Sequence, residues 1–132
     1  MPPRPLSPHL SVYKFTYTLT TSILNRFAGL ALSLGLPLLV YWLLAVAAGA
    51  QAQARAMRVL SLPLMRPLFA ALILAFSYHL TAGIRHLVWD TGRGLERKQS
   101  ERSAWLVVGV SLALALALLV AYCAWLAGAR AP

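Results

Sequence analysis

Residues 67–90 read PLFAALILAFSYHLTAGIRHLVWD, apolar throughout their first ten positions and then interrupted by His79, Arg85, His86 and Asp90. A helix of about 20 residues, rising 1.5 Å per residue, crosses a hydrocarbon layer of about 30 Å, and this stretch is long enough to do so. Two further runs have the same character, Phe27 to Ala50 before it and Ala104 to Leu126 after it. The expected fold is therefore an all-α membrane protein of three transmembrane helices, with its two ends on opposite sides of the bilayer. The spans are placed at about 22–50, 67–90 and 104–127. Residues 1–21, with Pro2, Pro3, Pro5 and Pro8, read as a polar arm that cannot start as a helix.

Composition agrees with that reading. The chain has 132 residues, of which 60% are hydrophobic and only 11% charged, and its mean hydropathy is +0.70. A soluble domain of this size does not look like this. One membrane-anchor domain, residues 1–132, is the ceiling, and so small a bundle has little interior in which to enclose a large cofactor without a partner. The first run exceeds the roughly 7–15 residues of a signal peptide's apolar segment, so it reads as a retained helix. Pro37 within it is a possible bend, tolerated where neighbouring helices satisfy the freed carbonyl. There is no internal repeat and no linker long enough to divide domains.

The formal net charge of +9 would suggest a nucleic-acid ligand in a soluble chain. Here the charges lie almost entirely outside the apolar runs, where they orient helices and meet lipid headgroups or acidic partner surfaces. Arg4, Lys14, Arg26, Arg93, Arg97, Lys98 and Arg102 fall on one side, against Arg55, Arg58, Arg66 and Arg130 on the other. The excess places the N-terminus and the 91–102 loop in the cytoplasm or matrix. Tyr41, Trp42, Trp89, Trp105, Tyr122 and Trp125 stand near span ends as an interfacial belt. Cys123 is the only cysteine, which excludes disulfide frameworks, Cys-rich metal sites and covalent C-x-x-C-H haem attachment.

At 100° per residue, His79, Gly83, His86 and Asp90 fall within about 60° of one another on the middle helix. His79 lies about eleven residues from either end, near mid-bilayer, where an ionisable group is costly and faces an interior site. Neutral imidazole is a common axial ligand of haem iron. Gly83, one turn away, leaves room for a flat macrocycle or a neighbouring backbone. A haem slot is one reading of this pair; a histidine bonded across to another helix is the other. His86, about 10 Å further along, is too far to share the same iron but could meet a propionate. His9 belongs to the arm, so a six-coordinate haem needs its second imidazole from another subunit. Asp90 suits either a surface ion pair with Arg93 or Arg85 or a proton relay beside the cofactor.

A second constellation stands at the entrance to the first helix. Ser22 and Arg26 are four residues apart on one face, with a Ser or Thr available as N-cap. This topology sets them at the membrane level of His86 and Asp90, where a hydroxyl and a fixed cation suit a quinone carbonyl or a haem propionate. The plainer reading of Arg26 is an orienting arginine that snorkels to the interface.

Three motifs occur in order: Arg4-Pro5-Leu6-Ser7-Pro8-His9-Leu10, then Ser22-x-x-x-Arg26-x-x-Gly29, then His79-x-x-x-Gly83-x-Arg85-His86-x-x-x-Asp90. On these, over positions 4–90, the chain resembles the cytochrome b556 family, the larger membrane-anchor subunits of succinate dehydrogenase (succinate:quinone oxidoreductase, respiratory complex II). The resemblance implies half of a heterodimeric haem-binding bundle, with His79 as one axial ligand of haem b and a second small anchor subunit supplying the other. It implies a quinone site bordered by Ser22 and Arg26 near an iron–sulfur subunit, with Arg26 also near a propionate and His86 by the haem edge. Electrons would reach that site from succinate through a flavoprotein subunit and the iron–sulfur subunit. One departure stands out: many relatives carry histidine where this chain has Asn25, which puts that propionate contact in question. The Ala- and Arg-rich composition and the lack of a transit-like leader lean toward a bacterial inner membrane over a mitochondrial one. The readings from other classes are a haem-free structural anchor or assembly protein and a small multidrug transporter. The transporter would need a coupling acid within the membrane, and the spans hold none except Asp90 at a boundary.

Overall fold

The computed structural model describes residues 17–128. They form four helices, α1 (Tyr17–Ala47), α2 (Ala50–Leu60), α3 (Met65–Asp90) and α4 (Arg97–Gly128). Helices α1, α3 and α4 are long and apolar enough to cross a membrane, which gives the three spans expected. Helix α3 is central and packs along both α1 and α4.

The packing is that of a protein in an apolar solvent. Leu34, Leu44, Leu87, Leu106 and Leu116 are exposed, whereas the buried positions are Ala28, Ala45, Ala82, Ala104, Ala115, Thr21, Ser77, Thr81 and Ser111 with a few others. Hydrocarbon solvates leucine as well as a protein interior does, so burying leucine gains little and close backbone approach between small residues decides the interfaces. The buried hydroxyls are satisfied within their own helices: Ser77 Oγ donates to Ile73 O at 2.8 Å, Thr81 Oγ1 to Ser77 O at 2.9 Å, and Ser111 Oγ to Val108 O at 2.9 Å. At the α1–α3 contact Gly35 takes Leu72, whose Cδ2 lies 2.6 Å from where a Cβ on Gly35 would stand.

Three boundaries differ from the sequence reading. Helix α1 is already helical at Tyr17, the first described residue, so the polar residues Thr18–Ser22 lie within the helix and not before it; Thr21 Oγ1 donates to Thr18 O at 2.9 Å. The stretch read as a connector contains helix α2, entered through Gly49 at φ 96°. Its Ala, Gln, Arg and Met residues are good helix formers, and a search for spans alone passes over so short an amphipathic segment. The loop read over 91–102 is a turn whose Gly92 and Gly94 adopt φ of 76° and 75°. From Arg97 the chain is helical, supported by an Arg97–Glu101 pair at 3.2 Å on the helix surface. The rest of the polar arm, including Arg4 and His9, lies outside the described residues, as does Arg130.

Replacing Gly35 by Val is expected to force Leu72 out of its seat and lower stability by roughly 1–3 kcal/mol. Gly109→Val, at a position with nothing within 4 Å of its Cβ site, is expected to change stability by less than about 0.5 kcal/mol. Denaturation of the detergent-solubilised protein compares the two; equal losses would refute the tight Gly35 seat.

Candidate functional site

Two groups of polar residues converge on α3, on different faces. The first centres on His79, whose Nδ1 lies 3.2 Å from the backbone carbonyl of Asn25 on α1. A carbonyl can only accept, so Nδ1 carries a proton, and in the neutral ring Nε2 then holds the lone pair. Nε2 has no hydrogen-bond partner among the described residues. The ring fits against Gly29, where a Cβ would stand 2.9 Å from His79 Cε1. Beyond it, Gly83 has nothing within 4 Å of its Cβ site, and Phe76, Leu80 and Leu87 are exposed. An imidazole with one nitrogen tied, the other available, and an open apolar flank fits a haem.

The cross-helix hydrogen bond and the ligand role, which the sequence set against each other, use different nitrogens of the same ring. His86 Nδ1–H bonds its own helix, 2.7 Å from Ala82 O, and its ring stands edge-on to Trp89 at 5.2 Å. Asp90 is exposed at the end of α3. The ion pair considered for it with Arg85 or Arg93 does not form, because Arg97–Glu101 is the only ion pair among the described residues. Five helical positions separate Arg85 from Asp90, which turns them about 140° apart.

Asn25, Gly29 and Thr21 set the depth of the α1 residues. Asn25 and Gly29 both meet His79, so Arg26 between them lies near the depth of His79, not at that of His86 and Asp90. Thr21 meets Arg85 at 3.5 Å, which sets Ser22 near the level of Arg85. Ser22, Arg26 and Gly29 share one face of α1 by their spacing, and Gly29 places that face beside His79. Arg26 is exposed and Ser22 half-buried. Asn25 Oδ1 is buried without a hydrogen-bond partner. It is the backbone carbonyl of Asn25, not its side chain, that reaches His79.

The second group centres on Arg85, which sequence suggests only as an ion-pair partner for Asp90. Arg85 is only 6% exposed. Its Nε donates to Ser103 Oγ at 2.9 Å, and NH2 donates to Ser100 O at 2.9 Å and Ser100 Oγ at 3.2 Å. NH1 points at Thr21 Oγ1, 3.5 Å away, and the guanidinium lies 4.0 Å over the Trp89 ring. Nearby Tyr78 donates to Thr21 O at 2.9 Å, and Trp89 Nε1 to Gly94 O at 3.1 Å. One cation thus ties α1, α3 and α4 together through neutral acceptors and an aromatic face. The signal was present in the sequence: an arginine inside an apolar run must point inward, and Ser and Thr at the ends of the flanking spans were its available acceptors.

Arg85→Ala is expected to cost roughly 2–4 kcal/mol, since it strands the Ser100 and Ser103 acceptors and opens the three-helix junction. Ser103→Ala, which deletes one partner, should cost about 1 kcal/mol. Thermal denaturation in detergent measures both, and an Arg85→Ala protein as stable as the parent would contradict this account.

Comparison with known proteins places the chain in a family. Residues 1–118 match the family model described as the succinate dehydrogenase/fumarate reductase transmembrane subunit. The chain is 39% identical over 119 residues to a succinate dehydrogenase cytochrome b556 subunit of Paracoccus denitrificans, covering 90% of this chain and 92% of that protein. A cytochrome b556 subunit of Rickettsia felis is 36% identical over 117 residues, 89% of this chain and 91% of the relative. The mitochondrial cytochrome b560 subunit of succinate dehydrogenase from Bos taurus is 37% identical over 118 residues, 86% of this chain and 70% of the relative. The chain therefore belongs to the family of succinate dehydrogenase/fumarate reductase transmembrane subunits, and is one part of such an enzyme complex.

Proposed function

We propose that this chain is the cytochrome b anchor of a succinate:quinone oxidoreductase, in which His79 Nε2 is one axial ligand of a haem b shared with a second small anchor subunit. The observation that carries this reading is the His79 ring itself, held at Nδ1, with no partner for Nε2 among the described residues, one helical turn from the empty Cβ site of Gly83. When bound, the haem supplies a one-electron carrier within the membrane. This chain contributes one imidazole at that depth, so a bis-histidine site needs the partner's. Bacterial relatives named cytochrome b556 support both the haem and a bacterial inner membrane.

Ser22 and Arg26 form the quinone side of the proposal. On the α1 face beside His79, the Ser22 hydroxyl and the Arg26 guanidinium can donate to a quinone carbonyl oxygen, where negative charge grows as electrons arrive. Arg26, near the depth of His79, can also meet a propionate. His86 and Asp90 continue the His79 face toward the end of α3 and offer protonatable groups on the way to water. Reduction of the quinone to quinol takes two electrons, delivered by an iron–sulfur subunit from a flavoprotein subunit that oxidises succinate, and two protons. The N-terminal arm and the α3–α4 turn, on the cytoplasmic side, would form the docking face for those soluble subunits, with basic Arg93, Arg97, Lys98 and Arg102 offering electrostatic complementarity.

A haem-free structural anchor is the competing reading, because the His79–Asn25 bond could be the whole purpose of the imidazole. A redox difference spectrum of the co-expressed, purified complex separates the two. The proposal expects a b-type α-band that is lost in His79→Ala, and a wild-type complex without that band would end it. Arg26→Ala is expected to lower succinate–quinone reductase activity at least tenfold while succinate oxidation by a water-soluble dye continues. Equal activity with quinone in the variant would remove Arg26 from the site.

A further inference from the structure

We infer that Gly29 is a positioning residue for the His79 imidazole: its missing side chain opens the Asn25 carbonyl of α1 to His79 Nδ1–H and thereby fixes which nitrogen, and which ring orientation, faces outward. The inference rests on the haem reading above and assigns to α1 the part of orienting the ligand.

The geometry follows from the helix repeat. In an α-helix the carbonyl of residue i accepts the N–H of residue i+4, so the carbonyl of Asn25 is directed at the backbone of Gly29. A side chain at i+4 stands over that carbonyl and screens it from a neighbouring helix. Here the i+4 residue is glycine, and the His79 ring occupies the space: a Cβ on Gly29 would meet Cε1 at 2.9 Å, Nδ1 at 3.3 Å and Nε2 at 3.7 Å. All three contacts are to the imidazole ring. The carbonyl therefore serves two donors, one along α1 and the His79 Nδ1–H at 3.2 Å across to α3.

Glycine is needed for this approach and not for backbone freedom, since Gly29 lies within a regular helix and has no positive φ. Alanine would leave α1 intact, yet the ring would have to tilt or withdraw from the carbonyl. The consequence reaches a bound metal through the ligand alone. A hydrogen bond at Nδ1 fixes the tautomer, raises the donor strength of Nε2 and sets the ring plane, each of which changes the electronic state and potential of an iron it ligates.

The test uses the assembled complex carrying Gly29→Ala, Gly29→Val or Gly109→Ala, the last at a glycine whose Cβ site is empty. The ferric low-spin haem signal in electron paramagnetic resonance and the haem midpoint potential are measured for each. Both are expected to shift in Gly29→Ala, to shift further or be lost in Gly29→Val, and to match wild type in Gly109→Ala. A wild-type complex without haem defeats the proposed function. A haem signal and potential in Gly29→Ala identical to wild type defeat the present inference alone.

Should the Gly29 variants fail to assemble, His79→Gly with added ligand decides. Imidazole is expected to restore the low-spin signal at several-fold lower concentration than 1-methylimidazole, which can ligate iron but has no N–H for the Asn25 carbonyl. Equal concentrations, or no restoration by either, would overturn the hydrogen-bonded seat.

Discussion

A nearly buried guanidinium holds this bundle in register. Arg85 sits on the central helix, and a charge there must be solvated by the protein because hydrocarbon offers it nothing. Ser100 and Ser103 at the start of α4 provide most of that solvation, Thr21 on α1 stands at its other edge, and Trp89 covers its face. Those contacts define one rotation of α3 about its own axis. Another rotation would forfeit those contacts.

That rotation distributes the helix among its neighbours. With Arg85 directed toward the α4 side, the residues one to two turns earlier fall into place. Ser77, Thr81 and Ala82 are buried, Tyr78 and His79 bond to α1, and Phe76, Leu80, Gly83 and Leu87 remain outside. The open side thus lies next to the imidazole and not opposite it. The proposed sharing of a haem with a second subunit needs such an open side, because a ligand enclosed by three helices of one chain would leave no face for the other.

The same logic explains why glycines matter more than bulky residues at the interfaces. Between helices in lipid the gain comes from van der Waals contact and hydrogen bonds formed at close range. Gly35 lets Leu72 in and Gly29 lets an imidazole reach a main-chain carbonyl. Two absent side chains on α1 thereby set how closely α3 approaches, and the second also determines what its histidine can bond.

Three spans and the shared helical face of His79, Gly83, His86 and Asp90 are legible in the sequence, because hydrophobic length and helical period are local properties of the chain. Helix α2 is not, since eleven residues of mixed character give too weak a signal beside three spans. The helical start of α4 is not legible either, because its charges resemble a solvated loop until Arg85 claims Ser100 and Ser103. The depth of Arg26 against His79, the bond from His79 to Asn25, and the separation of Arg85 from Asp90 depend on how far one helix slides and turns against another. Periodicity fixes a residue's angle on its own helix. Only packing decides which neighbour that angle faces, and here the need to satisfy one buried charge made the choice.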